Sequence, residues 1–388
     1  MNPQPACPVC ASSKVELFLR REQVPAHQNL LMADERTARE IARGNLAMKV
    51  CTECGFVFNE AFDDKILAYG MDYDNTQSHS PYFAHYLEEL ATYLINVKGV
   101  RNNRIVEVGC GKGTFLKMLI APKEAGNIGF GFDPSYVGPD TDLDGRLKFE
   151  RRNYGPECVH VSADVVICRH VIEHVPNPLE LLYQVRRSLD KSTHGRIFFE
   201  TPCVEWILRN KVIWDFFHEH CSMFSADSLT TAFQTAGFRV DSVRWTFRGQ
   251  YLWIEASVSA EQPDVRKRAG EVHTLAKQFA LSEENLKTRW RHRIQALRAK
   301  GKIAVWGAGA KGAAFANLID PDRMLIDCLI DLNPNKQGHY LPGTGHPIVG
   351  HRDLKTRNIA YAILMNPNYR EENLALLQEA SIDANLIE

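Results

Sequence analysis

Three adjacent side chains, His218, Glu219 and His220 in WDFFHEHCSMFS, form the most reactive-looking stretch of the chain. An imidazole is matched to proton abstraction near neutral pH, and a carboxylate beside it can fix its tautomer. The stretch follows the apolar run RIFFETP, so the three groups stand where the carboxyl edge of an open α/β sheet receives its substrate. A lone histidine is usually structural; three polar neighbours among aromatic residues point to a site.

The turn within RIVEVGCGKG supplies a second kind of chemistry. Gly109, Cys110 and Gly111 let the backbone approach a ligand closely, and Glu107 at the strand end can meet a positively charged amino-acid group. The next strand, NIGFGFD, ends in Asp133, which is placed to accept hydrogen bonds from ribose hydroxyls. The ligand these residues describe joins a nucleoside to an amino acid. A later turn, GAGAKG at 307–312 followed by Asp331, meets the dinucleotide fingerprint and on spacing alone predicts NAD. The unit that carries it is short for two nucleotide-binding halves and a catalytic domain, so a single nucleotide or a diphosphate fits better.

Two CxxC pairs, Cys7 with Cys10 and Cys51 with Cys54, offer four thiolates and no open position, which is the ligand set of a structural Zn²⁺. Such an ion supplies folding free energy of about 10–16 kcal/mol to a segment too short to find it in its own core. His170, Glu173 and His174 in RHVIEH spell the inverted zinc-protease motif HxxEH. That reading is rejected, because the motif straddles a strand end and meets Pro176 instead of lying on a long amphipathic helix.

Alternating apolar runs and helical patterns must position these groups. Strands are predicted over 104–108, 127–132, 147–151, 163–168 and 195–200, with helices over 114–120, 177–189 and 226–236. A hairpin over 238–247 and 251–259 closes the series. Residues 263–300 read as a charged helical connector, and a second α/β unit begins at Lys302. The Lys and Arg residues between Lys287 and Lys302 are read as a solvated helix face.

Composition narrows the class. At 388 residues with 45% hydrophobic and 24% charged content, the chain suits two or three globular domains. A net charge of −1 lacks the basic footprint of a nucleic-acid binder. The start MNPQPACPVC has no charged and apolar leader, and no stretch has the length of a membrane span, so a cytoplasmic protein without membrane partner is expected. In that reducing setting the ten cysteines favour metal binding over disulfides.

A parallel sheet that ends in an antiparallel hairpin resembles the class I methyltransferases. That likeness implies S-adenosylmethionine at the first glycine turn, with Arg169 and His170 as further cofactor contacts. The whole arrangement resembles the sugar C-methyltransferase family, on the CxxC pairs, DYDNTQSHS with Tyr73, EVGCGKG, HEHCSMFS, GAGAKG and DLNPNKQGHYLPGTGHPI. The resemblance implies a zinc-binding module at 1–68, a seven-stranded class I methyltransferase domain at 69–262, and a helical connector with a Rossmann-like α/β domain at 263–388. It implies that His220 removes a proton beside a keto group of a nucleotide-linked deoxy-sugar, and that the resulting enolate takes the methyl group. His218, Glu219 and Tyr73 are expected in that active site, and Lys311, Lys336 and Asn368 at the substrate nucleotide.

One departure stands out. The family usually has Tyr before HEH, whereas this chain has Phe217. Losing a hydroxyl that steadies an enolate can lower the rate about a hundredfold. Either Tyr73 or another group replaces it, or the acceptor differs, which keeps O- or N-methylation of another metabolite open. The rivals of other classes are an NAD-dependent oxidoreductase and a non-catalytic module docking through its zinc unit. The expected partner is a small molecule, and the expected state a monomer or homodimer.

Overall fold

Apolar runs bounded by glycine turns build three sheets in the computed structural model, which describes residues 6–189, 192, 194–259, 263–265 and 267–388. Among these residues no helix is long and apolar enough to cross a membrane. The expected boundary at residue 262 lies outside the described residues.

The first sheet pairs Val15–Pro25, Arg43–Cys51 and Val57–Asn59, all antiparallel. It is not completed by the N-terminal segment alone. Ser222–Met223, just past HEH, adds its fourth strand by pairing with Val57 and Phe58. Packing therefore runs across the boundary expected at residue 68.

The second sheet has eight strands where seven were expected. Its parallel centre is Arg196–Pro202, Val165–Arg169, Arg104–Val108, Ile128–Phe132 and Leu147–Glu150, in that spatial order. The hairpin Phe238–Thr246 and Tyr251–Val258 covers one edge through an antiparallel pair with Arg196–Pro202. The additional strand is Thr141–Asp142 on the other edge, where left-handed Leu143, Asp144 and Gly145 fold the chain back onto Leu147–Glu150. Two residues carry too little pattern to be read from sequence.

The third sheet is wholly parallel: Ile348–Val349, Cys328–Ile330, Lys302–Trp306, Ile359–Leu364 and Asn385–Ile387. The segment expected to be a connector is largely one helix, Val272–Arg298 of 27 residues, and it packs on two units at once. Phe279 meets Phe18 and Phe216 of the N-terminal side, while Trp290 meets Phe315 of the C-terminal unit at 5.3 Å. Buried Arg21 pairs with Glu283 at 2.8 Å and donates to the carbonyls of Ile213 and Phe216. The basic run is largely exposed, as expected of a solvated face, while Arg291 donates to the Leu318 carbonyl at 2.9 Å and Arg298 pairs with Asp327 at 2.7 Å.

Candidate active site

The first glycine turn forms because Arg104–Val108 runs into left-handed Gly109 (φ 68°) and Gly111 (φ 54°) before the helix Thr114–Ile120. A Cβ at Gly109 would stand 2.1 Å from Val171 Cγ2, so only glycine fits there. Asp133 accepts the Gly111 N–H at 2.8 Å and the Ser135 N–H at 2.7 Å, which clamps this turn to the neighbouring strand. Glu107, Gly109, Cys110, Gly111, Asp133, Arg169 and His170 all line one cavity of about 530 Å³.

Two orphaned polar atoms in its wall test whether the expected cofactor fits. Glu107 Oε2 and Arg169 Nε are buried without a hydrogen-bond partner. Burial pushes the Glu107 carboxyl up to about 8, although the Arg169 charge pulls the other way. A buried carboxyl in that state is suited to an incoming ammonium group. The donor set fits S-adenosylmethionine.

A second cavity of about 270 Å³ lies beside the first. Its wall includes His220 and Phe217, the late glycine turn from Gly307, Lys311 and Lys336, and Tyr251 from the hairpin. The cavities share Tyr73, His170 and His174 as a common wall. The late turn repeats the construction of the first, since Gly307 donates to the Ile330 carbonyl and Asp331 accepts the Ala308 N–H.

The three HEH side chains diverge. The His220 ring faces the second cavity, with Phe217 at 4.1 Å and His174 edge-on at 4.8 Å. Burial, then the nearby His174, His170 and Lys311 charges, hold His220 well below the usual imidazole range, so it is neutral and able to take a proton. Glu219 turns away: its carboxylate accepts from His27 Nδ1 at 3.1 Å and the Gln28 N–H at 2.8 Å. It orders the N-terminal side and not the tautomer of an HEH histidine. His218, expected among the catalytic groups, lines neither cavity; it stacks on Phe62 at 5.1 Å, abuts Gly44, and reaches the Asp63 carbonyl at 3.2 Å.

His170 has left-handed backbone (φ 55°) and a ring clamped by two carboxylates, Glu200 at 2.7 Å and Glu173 at 3.4 Å. Burial opposes its charge, but the two carboxylates prevail and hold it up at about 9. Burial likewise opposes the Glu200 charge, yet Arg169 and His170 hold that carboxyl down at about 2. A fixed cation thus stands in the wall between the cavities.

Of the expected nucleotide contacts, Lys311 and Lys336 line the second cavity and Asn368 does not. Asn368 spends its amide on the Phe247 carbonyl at 3.1 Å, and Asn366 reaches the cavity in its place. Lys311 pairs with Asp215 at 2.9 Å and donates to Gln250 Oε1 at 3.2 Å; Lys336 donates to Asn29 Oδ1 at 3.0 Å. Gln250 and Asn366 exchange amide hydrogen bonds at 2.8 and 3.1 Å, which ties the hairpin turn to the C-terminal sheet. Sequence reasoning missed Asn366, Gln250, Glu173 and His174 as cavity residues. The position of Asn366, just past the carboxyl end of Ile359–Leu364, was the available signal.

The cysteines converge as expected. Cys7 and Cys54 Sγ lie 3.6 Å apart, as do Cys10 and Cys51 Sγ, and all four lie within 4.8 Å of one another. That is too long for a disulfide at about 2.05 Å. It is near the roughly 3.8 Å edge of a tetrahedron of sulfurs placed 2.3 Å from zinc. The donor set fits Zn²⁺.

Comparison with known proteins finds two domain matches along the chain. Residues 78–243 match the model described as a methyltransferase domain, and 258–384 match the C-methyltransferase C-terminal domain. The C-methyltransferase NovU of Streptomyces niveus is 25% identical over 392 residues, covering 96% of this chain and 92% of that protein. Among solved structures, 1,6-didemethyltoxoflavin-N1-methyltransferase of Burkholderia thailandensis is 15% identical with a TM-score of 0.35, over 46% of this chain and 80% of that one. Magnesium protoporphyrin IX methyltransferase of Synechocystis PCC 6803 is 14% identical with a TM-score of 0.35, over 46% and 84%. The late glycine turn, which spacing alone assigns to NAD, falls inside the C-methyltransferase C-terminal domain. The chain is a methyltransferase dependent on S-adenosylmethionine, and it carries a methyltransferase domain and a C-methyltransferase C-terminal domain on one polypeptide.

Proposed function

We propose that the chain methylates a carbon next to a keto group on a nucleotide-linked deoxy-sugar, with His220 as general base. The observation that carries this is the shared wall: His220 faces a cavity that meets the cofactor cavity at Tyr73, His170 and His174. S-adenosylmethionine supplies the electrophilic methyl group when bound. Glu107, Gly109, Cys110, Gly111, Asp133, Arg169 and His170 would hold it.

A neutral His220 takes the proton from the carbon beside the ketone, and the electron pair of that C–H bond passes into the enolate. That enolate carbon is the nucleophile for the methyl group the cofactor would supply, the electron pair of the methyl–sulfur bond leaving on sulfur as the thioether. The fixed His170 cation in the wall favours the negative charge that develops on the substrate. Phe217 offers no hydroxyl to the enolate oxygen. Tyr73 and Tyr251 line the same cavity, and burial raises both phenols well above their ordinary range, so each keeps its proton for donation. Tyr73 also packs beside Tyr69 and His27, which makes it the better-ordered replacement.

Lys311, Lys336 and Asn366 give the far part of the cavity a cationic and amide lining suited to a phosphate-bearing nucleotide. Glu219 is a positioning residue, and the cysteine cluster would hold a structural Zn²⁺. A matched pair of keto-deoxy-sugars, one nucleotide-linked and one free, provides the test. Demethylated cofactor and a methylated sugar form from the nucleotide-linked compound only. Equal turnover of both, or methyl transfer to oxygen or nitrogen alone, defeats the proposal.

A further inference from the structure

Glu173, His174 and His220 each bring a ligand atom within 4.8 Å of the others in the wall of the substrate cavity. They come from two separate segments, the turn Ile172–His174 and the loop before Ser222–Met223. Each has capacity to spare. His174 faces the Tyr69 hydroxyl through Nδ1 at 3.2 Å, which leaves Nε2 free to point at a ligand. The His220 ring nitrogens have no hydrogen-bond partner among the described residues. Glu173 is 1% exposed; its Oε2 accepts from Thr201 at 3.1 Å, but Oε1 accepts no hydrogen bond.

A buried carboxylate oxygen without a donor calls for a partner. His170 Nδ1 lies 3.4 Å from Glu173 Oε1 while its Nε2 meets Glu200 at 2.7 Å; the first contact is longer than a hydrogen bond, so Oε1 keeps a lone pair for a closer ligand. We propose that Glu173, His174 and His220 form a second metal site, which takes one divalent transition-metal ion of the zinc, cobalt and nickel class. Two imidazoles and one carboxylate suit borderline ions of that class. Three protein ligands leave coordination positions open toward the cavity, unlike the closed cysteine site. Bonds of about 2.0–2.2 Å require the donors to tighten by roughly 1 Å, which side-chain rotation supplies.

An ion there occupies the lone pair of His220 and blocks proton removal, so it inhibits methyl transfer. That consequence rests on His220 being the base; the metal site itself does not.

The test is a Co²⁺ titration of the full chain with zinc retained in its cysteine site. One further equivalent binds, with weak ligand-field bands and without thiolate charge-transfer absorption. Two paramagnetically shifted imidazole N–H resonances appear in the unaltered protein, one for each histidine. Glu173→Gln weakens this binding about tenfold or more. The double variant His174→Ala, His220→Ala abolishes it and keeps its zinc. Absence of the extra equivalent in the unaltered protein, or its survival in the double variant, overturns the site. Cobalt bound with both shifted resonances but with methylation intact overturns His220 as base and leaves the metal site standing.

Discussion

His27 Nδ1 donates to the Glu219 carboxylate at 3.1 Å although 192 positions separate the two residues. The tautomer follows from the Ala68 N–H, which donates to His27 Nε2 at 2.9 Å and leaves the ring proton on Nδ1. Glu219 is therefore the link through which the N-terminal sheet holds the loop that carries His220. The Ser222–Met223 strand makes the same connection through the backbone.

Removing one end of this link should disturb both stability and turnover. His27→Ala takes one hydrogen-bond donor from a buried carboxylate that keeps the Gln28 N–H, and it destabilises the chain by about 1–3 kcal/mol in urea unfolding. It lowers kcat more than it changes cofactor affinity. Zinc removal by chelation acts through the same sheet, so Tm and kcat fall together as metal content falls. Full turnover in metal-free protein contradicts this coupling.

Cofactor binding should release a proton. Glu107 has its carboxyl held at about 8 by burial, so it is mostly protonated near neutral pH before the ligand arrives. An ammonium beside it favours the ionised form, and affinity therefore rises with pH up to about 8. Calorimetry in buffers of different ionisation enthalpy near pH 7 measures the release, which approaches one proton per cofactor. Glu107→Gln abolishes the release and weakens binding by about 1–3 kcal/mol. An unchanged release in that variant assigns it to another group.

The His170 and Glu200 pair sets a pH window. The folded value of His170, about 9, lies above its ordinary 6.5, so its contribution is complete below 6.5 and is lost as pH climbs through 9. The folded value of Glu200, about 2, lies below its ordinary 4.5, so its contribution is complete above 4.5 and is lost as pH falls toward 2. Together they stabilise most between those ordinary values. His170→Asn keeps a residue tolerant of left-handed backbone, so its effect reports charge more than strain. It costs about 2 kcal/mol near neutral pH, and the gap to the unaltered chain narrows toward pH 9. A gap that stays constant from about pH 6 to about pH 9 rejects the charge pairing.

The central strands are legible in the sequence because apolar runs such as RIVEV and VVICR are buried on both faces. Edge strands of two or three residues, Thr141–Asp142 and Ile348–Val349 among them, owe their place to turns and neighbours. HEH is legible as a site but not as a geometry. A tight turn closed by the His220 N–H on the Phe217 carbonyl sends three successive side chains in different directions. The 3₁₀ turn Pro367–Tyr369 has the same effect, with Asn366 in the cavity and Asn368 turned back to Phe247. Trp290, Ile294 and Leu297 stand at helical spacing in the sequence, whereas charge along Val272–Arg298 masks the burial of Leu275 and Phe279.

Solvent deuterium exchange at the carbon beside the ketone of a nucleotide-linked keto-deoxy-sugar, followed by mass spectrometry, tests His220 as base most directly. The unaltered chain incorporates deuterium at that carbon, and His220→Ala, still folded and still binding cofactor, incorporates none above background. Exchange retained in His220→Ala, or methyl transfer that proceeds at the unaltered rate without it, contradicts the account.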